Sequence, residues 1–175
     1  AVMEERALGK IYGHEATGIV DTLGEGVRSL KPGDRVAVLP PYYCMQCEFC
    51  RVGLYENCTN LQTIGYQYPG GFAEYMLVPE RNLLIIPESL SFEEAATLDV
   101  LAVGVHAVHR GGVSLTDRVA VLGAGAIGIA ITAVARQAGA RNIIVTAKHP
   151  VQKAIVHKLG ATHVFGSNEN DLQAK

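Results

Sequence analysis

Four cysteines sit within one stretch of fifteen residues, as Cys44, Cys47, Cys50 and Cys58. Their spacing reads C-x2-C-x2-C-x7-C. Two-residue gaps let the chain turn so that successive sulfurs face one centre. A divalent ion there offsets the repulsion between thiolates, and zinc favours four sulfurs in a closed tetrahedral site. A closed site leaves no position for a substrate, so its role is structural. An iron–sulfur cluster is the nearest rival, because C-x2-C-x2-C also opens ferredoxin-type sites, which continue C-x3-C-P. Here the last gap is seven residues and Thr59 follows Cys58, which favours Zn2+. Disulfides need an oxidising compartment. The opening residues AVMEERALGK do not pair a basic region with an apolar run as an export signal does, so the expected location is cytoplasmic.

Two further motifs carry chemistry. Gly13-His14-Glu15 precedes a strand-like run, and a histidine beside a carboxylate at a strand mouth can bind a metal. It is not a zincin motif, because Gly18 stands where the second histidine must be. Gly123-x-Gly125-x-x-Gly128 lies between an apolar strand-like run and a helix-like one. In that setting it reads as a dinucleotide turn. Gly123 allows the tight turn, Gly125 lets the backbone approach a pyrophosphate, and Gly128 lets helix and strand pack closely. The phosphates then face the helix amino terminus, whose free N–H groups favour negative charge. His106, His109, His157 and His163 stand in no motif, and no GxSxG elbow surrounds Ser114.

The elements that must hold these residues change character near residue 112. Before it come short runs bounded by glycine, proline and aspartate: Gly18–Thr22, Arg35–Leu39, Phe72–Val78 and Leu83–Ile86. They predict an antiparallel, barrel-like β unit. Ser91 with Glu94 three residues on predicts a capped helix start. Apolar steps of three and four run on through Ala95, Leu98, Ala102, Val105 and Val108, with Gly104 as a weak point and Gly111-Gly112 as the stop. Thereafter strand-like Arg118–Leu122, Asn142–Thr146 and Thr162–Phe165 alternate with helix-like segments. That alternation predicts a parallel sheet with crossover helices.

Composition narrows the function classes. In 175 residues, 49% are hydrophobic and 18% charged, enough apolar surface for a core. The formal charge is −2, which offers no electrostatic footprint for nucleic acid or an anionic membrane. No run approaches the roughly 18 apolar residues of a spanning helix.

Taken in order, Gly13-His14-Glu15-Ala-Thr-Gly18, Leu30-Lys-Pro-Gly-Asp-Arg-Val36, the cysteine lobe, Gly71-Phe-Ala-Glu-Tyr75 and Val121-Leu-Gly-Ala-Gly-Ala-Ile-Gly128 resemble the zinc-dependent medium-chain dehydrogenase/reductases, such as alcohol, polyol and threonine dehydrogenases. The resemblance implies a mixed α/β protein. A GroES-like β-barrel catalytic domain would occupy residues 1–112, and the first part of a Rossmann domain 113–175. It implies hydride transfer between an alcohol and NAD(P), and a homo-oligomer, dimer or tetramer, of the full-length protein. His14 would be a catalytic-zinc ligand, and Glu15 a direct or intermittent one. Alignment of Leu101–Ala107 on the family's similar stretch puts Asp99 at a third ligand position. The four cysteines match the structural zinc site. Ile127 would line the cofactor cleft.

The resemblance also bears on cofactor choice. An acid about 20 residues past the glycine turn grips the ribose hydroxyls and repels a 2′-phosphate, and family members using NAD commonly carry aspartate where this chain has Ala147. Ala147 with Lys148 implies that NADP is preferred and NAD possible, with His149 and Lys153 as further candidates. The chain departs from the family in one respect. The family's first catalytic-zinc ligand is a cysteine upstream of Gly-His-Glu, and none of the thirteen residues before His14 is cysteine. The expectation is a piece of a longer enzyme. A non-catalytic, zinc-stabilised relative and a zinc-free, quinone-reductase-like enzyme stay open as alternatives.

Overall fold

The computed structural model describes residues 9–166. The chain divides into two compact units, Ala1–Asp99 and Val100–Lys175. It is a mixed α/β protein.

In the first unit, β1 (Thr17–Ile19), β2 (Arg35–Val38) and β5 (Leu83–Ile85) form an antiparallel sheet in the order β1-β2-β5. Thr17 pairs with Ala37, and Ala37 with Leu84. The turn into β2 is built by Lys31-Pro-Gly-Asp: Gly33 takes φ +92°, and the Asp34 carboxylate accepts from the Lys31 N–H at 2.9 Å. β2 is the central strand, and its Val36, Ala37 and Val38 are buried. Ala37, Ile86 and Ala95 form the core with Leu90, Phe92 and Leu98 against them. Arg35 lies 4.4 Å from the Phe92 ring centre and donates to the Pro87 and Leu90 carbonyls. A second, two-stranded sheet joins β3 (Pro41–Tyr42) to β4 (Gln62–Thr63) and flanks the cysteine segment.

Two expectations are corrected here. No closed barrel is present among the described residues; the strands form separate sheets of three and two. The alternating run Phe72–Val78 is not a strand. Alternation marks a strand only where a partner supplies the ladder, and none of the described strands pairs with this segment. Its Phe72, Tyr75 and Leu77 are 81%, 75% and 96% exposed.

The helix opened by Ser91 is two helices. The capping box forms: Ser91 Oγ accepts from the Glu94 N–H at 3.1 Å, and Glu94 Oε2 accepts from the Ser91 N–H at 2.9 Å. It starts α2 (Phe92–Ala96), and α3 (Leu98–Arg110) follows after Thr97. The Thr97 hydroxyl bonds back to the Glu94 carbonyl at 2.7 Å. That local bond competes with helix continuation, so the break falls at Thr97 rather than at Gly104. Gly104 is a packing position instead. A Cβ there would lie 3.0 Å from Ala130.

In the second unit, β6 (Arg118–Val121), β7 (Asn142–Thr146) and β8 (His163–Phe165) run parallel in that order. α4 (Ala126–Gln137) links β6 to β7, and α5 (Pro150–Lys158) links β7 to β8. Ile143, Val145, Ala135 and Val156 are fully buried in one core. Near-continuous apolar strands of this kind suit a sheet covered on its faces. Among the described residues no helix is long and apolar enough to cross a membrane.

Candidate metal and dinucleotide sites

The cysteine lobe is built by local turns. Met45 takes φ 60°, which bends the chain between Cys44 and Cys47, and α1 (Glu48–Arg51) carries Cys50 inward. A 3-10 turn, Tyr55–Asn57, then delivers Cys58. One Sγ from each of the four lies within 4.8 Å of the others. Cys50 and Cys58 are buried, and none of the four is in a disulfide. The backbone supplies part of the countercharge that thiolates need. The Cys44 N–H points at Cys58 Sγ and the Cys47 N–H at Cys44 Sγ, each at 3.4 Å. Amides of Cys50 and Thr59 hold the Cys47 thiol down to about 6. Amides of Gln46 and Cys47 lower Cys44. Burial, with the neighbouring sulfurs, pushes Cys50 up to about 12. Cys50 becomes a ready thiolate only beside a cation, which inverts this balance. Four convergent soft donors therefore fit one thiophilic ion.

The second donor cluster is assembled from distant parts of the first unit. Gly13 takes φ +96°, and its Cα faces the Phe72 ring, 2.8 Å from where a Cβ would stand. Residues 70–72 strap this turn: N–H groups of Gly70, Gly71 and Phe72 donate to Ile11, Gly13 and Tyr12. Gly65 and Gly70 approach the Gly13 carbonyl so closely that neither has room for a Cβ. The strap fixes His14 at the mouth of β1. From the other side, the Thr17 hydroxyl donates to the Phe92 carbonyl at 3.2 Å, tying β1 to α2. Asp99 stands in the first turn of α3. His14 Nε2 lies 3.9 Å from Asp99 Oδ2, with the two side chains 34% and 28% exposed. Ligand atoms of His14, Glu15 and Asp99 all lie within 4.8 Å of one another. One imidazole and two carboxylates are acceptable zinc donors, and three donors at a half-open position leave a face for another ligand.

In the second unit, Gly123 (φ +103°) turns the chain out of β6 and Gly125 caps α4. A Cβ at Gly128 would run into the Gly123 carbonyl, so strand end and helix start touch through bare backbone. An open cleft of about 550 Å3 is lined by Val121, Gly123, Gly125, Ile127, Gly128 and Ile131. Ile127 is 50% exposed. Ala147 follows β7 and is buried, while Lys148 and His149 are exposed and Lys153 is half-buried on α5.

Residues 2–88 match the family model described as the alcohol dehydrogenase GroES-like domain. The chain is 37% identical over 162 residues to sorbitol dehydrogenase of Bacillus subtilis (strain 168), covering 92% of this chain and 46% of that protein. The chain belongs to the zinc-dependent medium-chain dehydrogenase family. It spans about half the length of the curated relatives it matches. The structure resembles galactitol-1-phosphate dehydrogenase from Escherichia coli, with TM-score 0.82, 34% identity, and coverage of 90% of this chain and 46% of that one. It also resembles a candidate zinc-binding dehydrogenase from Sinorhizobium meliloti 1021, bound to NADP, with TM-score 0.85, 36% identity, and coverage of 90% and 46%. The likeness runs beyond the matched GroES-like domain and takes in the glycine turn.

Two residues at these sites escaped the sequence. The Tyr66 ring centre lies 5.5 Å from that of His14; nothing in Gly65-Tyr66-Gln67 announces it, because the strap that brings it there is tertiary. Thr146 Oγ1 accepts from the Gly123 N–H at 2.8 Å; a hydroxyl at the last position of the second strand was its one available signal. The histidines outside motifs, His106, His109, His157 and His163, are exposed and join no metal-donor cluster among the described residues.

Proposed function

We propose that this chain carries the metal and dinucleotide sites of an enzyme that interconverts an alcohol, primary, secondary or polyol, and its carbonyl product with NAD(P). The observation that carries this reading is the convergence of His14, Glu15 and Asp99 within 4.8 Å, across 85 residues of sequence. Polyol and sugar-alcohol names among the relatives support a hydroxylated small-molecule substrate. In this reading residues 1–112 are the GroES-like catalytic part and 113–175 the opening of the Rossmann part. The full-length protein is a cytoplasmic homo-oligomer that binds neither nucleic acid nor membrane.

His14, Glu15 and Asp99 hold the catalytic zinc. Cys44, Cys47, Cys50 and Cys58 hold a second, structural zinc. Bound at the open site, zinc supplies Lewis acidity towards an alcohol or carbonyl oxygen. The dinucleotide supplies the two-electron redox chemistry. The chain's own residues bind and orient. N–H groups at the start of α4 face the pyrophosphate. Gly125 admits it, Gly128 keeps strand end and helix start in contact, and Ile127 covers one side of the cleft. Ala147 presents no carboxylate to the ribose, and Lys148 adds a cation beside it, so NADP is preferred.

The test is His14→Ala in the full-length protein, assayed with NADP and a polyol panel alongside metal analysis. Removing a donor that supports several kcal/mol of charge stabilisation lowers kcat/KM by about 10³-fold. The expected variant loses one zinc, keeps the other and retains its fold. A variant that oxidises alcohols at the parent rate overturns the proposal.

A further inference from the structure

The β6–β7 ladder ends at the pair Val121 and Val145. The chain then leaves the sheet, and the Gly123 amide has no strand partner. Thr146, the last residue of β7, takes it up: its Oγ1 accepts from the Gly123 N–H at 2.8 Å. A side chain thus adds one rung beyond the backbone ladder. On its other side Gly123 is confined as well, because its carbonyl lies against the Cα of Gly128. The turn at φ +103° is therefore held from the β7 side by one hydroxyl and from the α4 side by bare backbone contact. Thr146 is itself fixed, since it sits in register with Phe165 of β8 and its β-branched side chain has few χ1 choices.

We infer that Thr146 is a positioning residue for dinucleotide binding: its hydroxyl occupies the Gly123 amide and holds the glycine turn in the shape that aims the α4 amides at the pyrophosphate. The inference rests on the dinucleotide reading above. It has two consequences. The Gly123 N–H is committed to Thr146, so the phosphates depend on amides further along, from Gly125 onward. The residue also acts on the part of the ligand that NADPH and NADH share, in contrast to Lys148 beside the ribose.

Water can replace the hydroxyl while the cleft is open, so the free protein tolerates its loss. A bound dinucleotide excludes that water, and the unpaired amide then costs affinity. The experiment compares Thr146→Val and Thr146→Ser in the full-length protein. NADPH and NADH binding are titrated separately by the fluorescence of the reduced nicotinamide, and melting temperature is measured on the same samples. Thr146→Val is expected to weaken both dinucleotides alike, by about 3- to 10-fold, which is the range of one net hydrogen bond. Thr146→Ser is expected to bind within about 2-fold of the parent, because it keeps the acceptor. Lys148→Ala is expected to weaken NADPH alone. Parent-like binding of both ligands by Thr146→Val overturns the inference, and so does weakening of NADPH only. A fall in melting temperature with unchanged affinity also overturns it, since that marks a purely structural residue. If the parent protein binds neither dinucleotide, the functional reading itself fails, and that result is distinct from all of these.

Discussion

The two donor clusters of the first unit are built by opposite strategies. The cysteine lobe draws all four donors from residues 44–58 and buries two of them. The histidine cluster draws two donors from one strand mouth and the third from a helix 84 residues beyond Glu15, and it leaves them half-open. The lobe spends local turns and amide-to-sulfur bonds on holding an ion. The histidine cluster depends on the glycine strap at residues 70–72, on the Thr17–Phe92 tie and on the start of α3. A locally built site needs its ion to fold, whereas an assembled one needs its fold to hold an ion. Closed soft donors suit structure and open mixed donors suit chemistry.

The largest expected effect tests the local half of that contrast. Cys50→Ser in the full-length protein, or removal of metal by a strong chelator, leaves three sulfurs and an uncompensated buried site. Structural zinc contributes binding free energy of order 10 kcal/mol to small lobes. The expected result is loss of one zinc and rapid proteolysis within residues 44–58. The histidine cluster should still take up metal, because none of its supports comes from the lobe. Limited proteolysis with mass mapping reads this directly. A metal-free lobe that resists protease as well as the loaded one would break the contrast.

The same contrast explains what could be read before the fold was known. Cys44, Cys47, Cys50 and Cys58 are legible from spacing alone, because the whole site is one chain segment. The glycine turn is nearly as legible, for the same reason. His14 and Glu15 are visible as a motif, but Asp99 becomes a candidate only through family resemblance, since no local pattern distinguishes it from a helix-face acid. Tyr66 and Thr146 reach their partners through strap and sheet register; Tyr66 leaves no local trace, and Thr146 only a hydroxyl at a strand end. In the fold, the capping box at Ser91 and the three parallel strands follow from short-range rules. Phe72–Val78 misleads because alternation reports the pattern of a strand and not the presence of its partner. Gly104 misleads because a glycine weak in helix propensity is here required by close packing on Ala130.

A smaller effect is expected at the cofactor end, which combines a local motif with an assembled edge. Ala147 is buried at the end of β7, with Lys148 exposed beside it. Ala147→Asp in the full-length protein restores a carboxylate against a 2′-phosphate. The expected change is a fall of about 10-fold or more in NADPH affinity relative to NADH, a difference of about 1.4 kcal/mol. The metal content of both clusters should not change. Separate titrations with the two reduced dinucleotides check this. Equal weakening of both ligands would mean that residue 147 acts through packing, since the parent side chain is buried there.

The smallest expected effect loosens the assembled site without touching the lobe. The Ser91–Glu94 capping box starts α2, and α2 leads through Thr97 into the helix turn that carries Asp99. Donation from the Ser91 amide and hydroxyl holds the Glu94 carboxyl below its ordinary range. A depressed carboxyl contributes stability that is fully present above its unfolded value and is lost as pH falls through its folded value. Acidification through and below the ordinary glutamate range should therefore weaken this cap. Glu94→Gln removes that titration while keeping an acceptor at the same position. The full-length variant should melt within about 2–4 °C of the parent at neutral pH. It should also lose part of the parent's melting-temperature decline between neutral and acid conditions. Metal retention at the histidine cluster should be more sensitive to this change than retention at the lobe, because only the former has a donor downstream of the cap. Equal metal loss from both sites in Glu94→Gln would mean that the two clusters share supports, and that the separation of local from assembled architecture is wrong for this molecule.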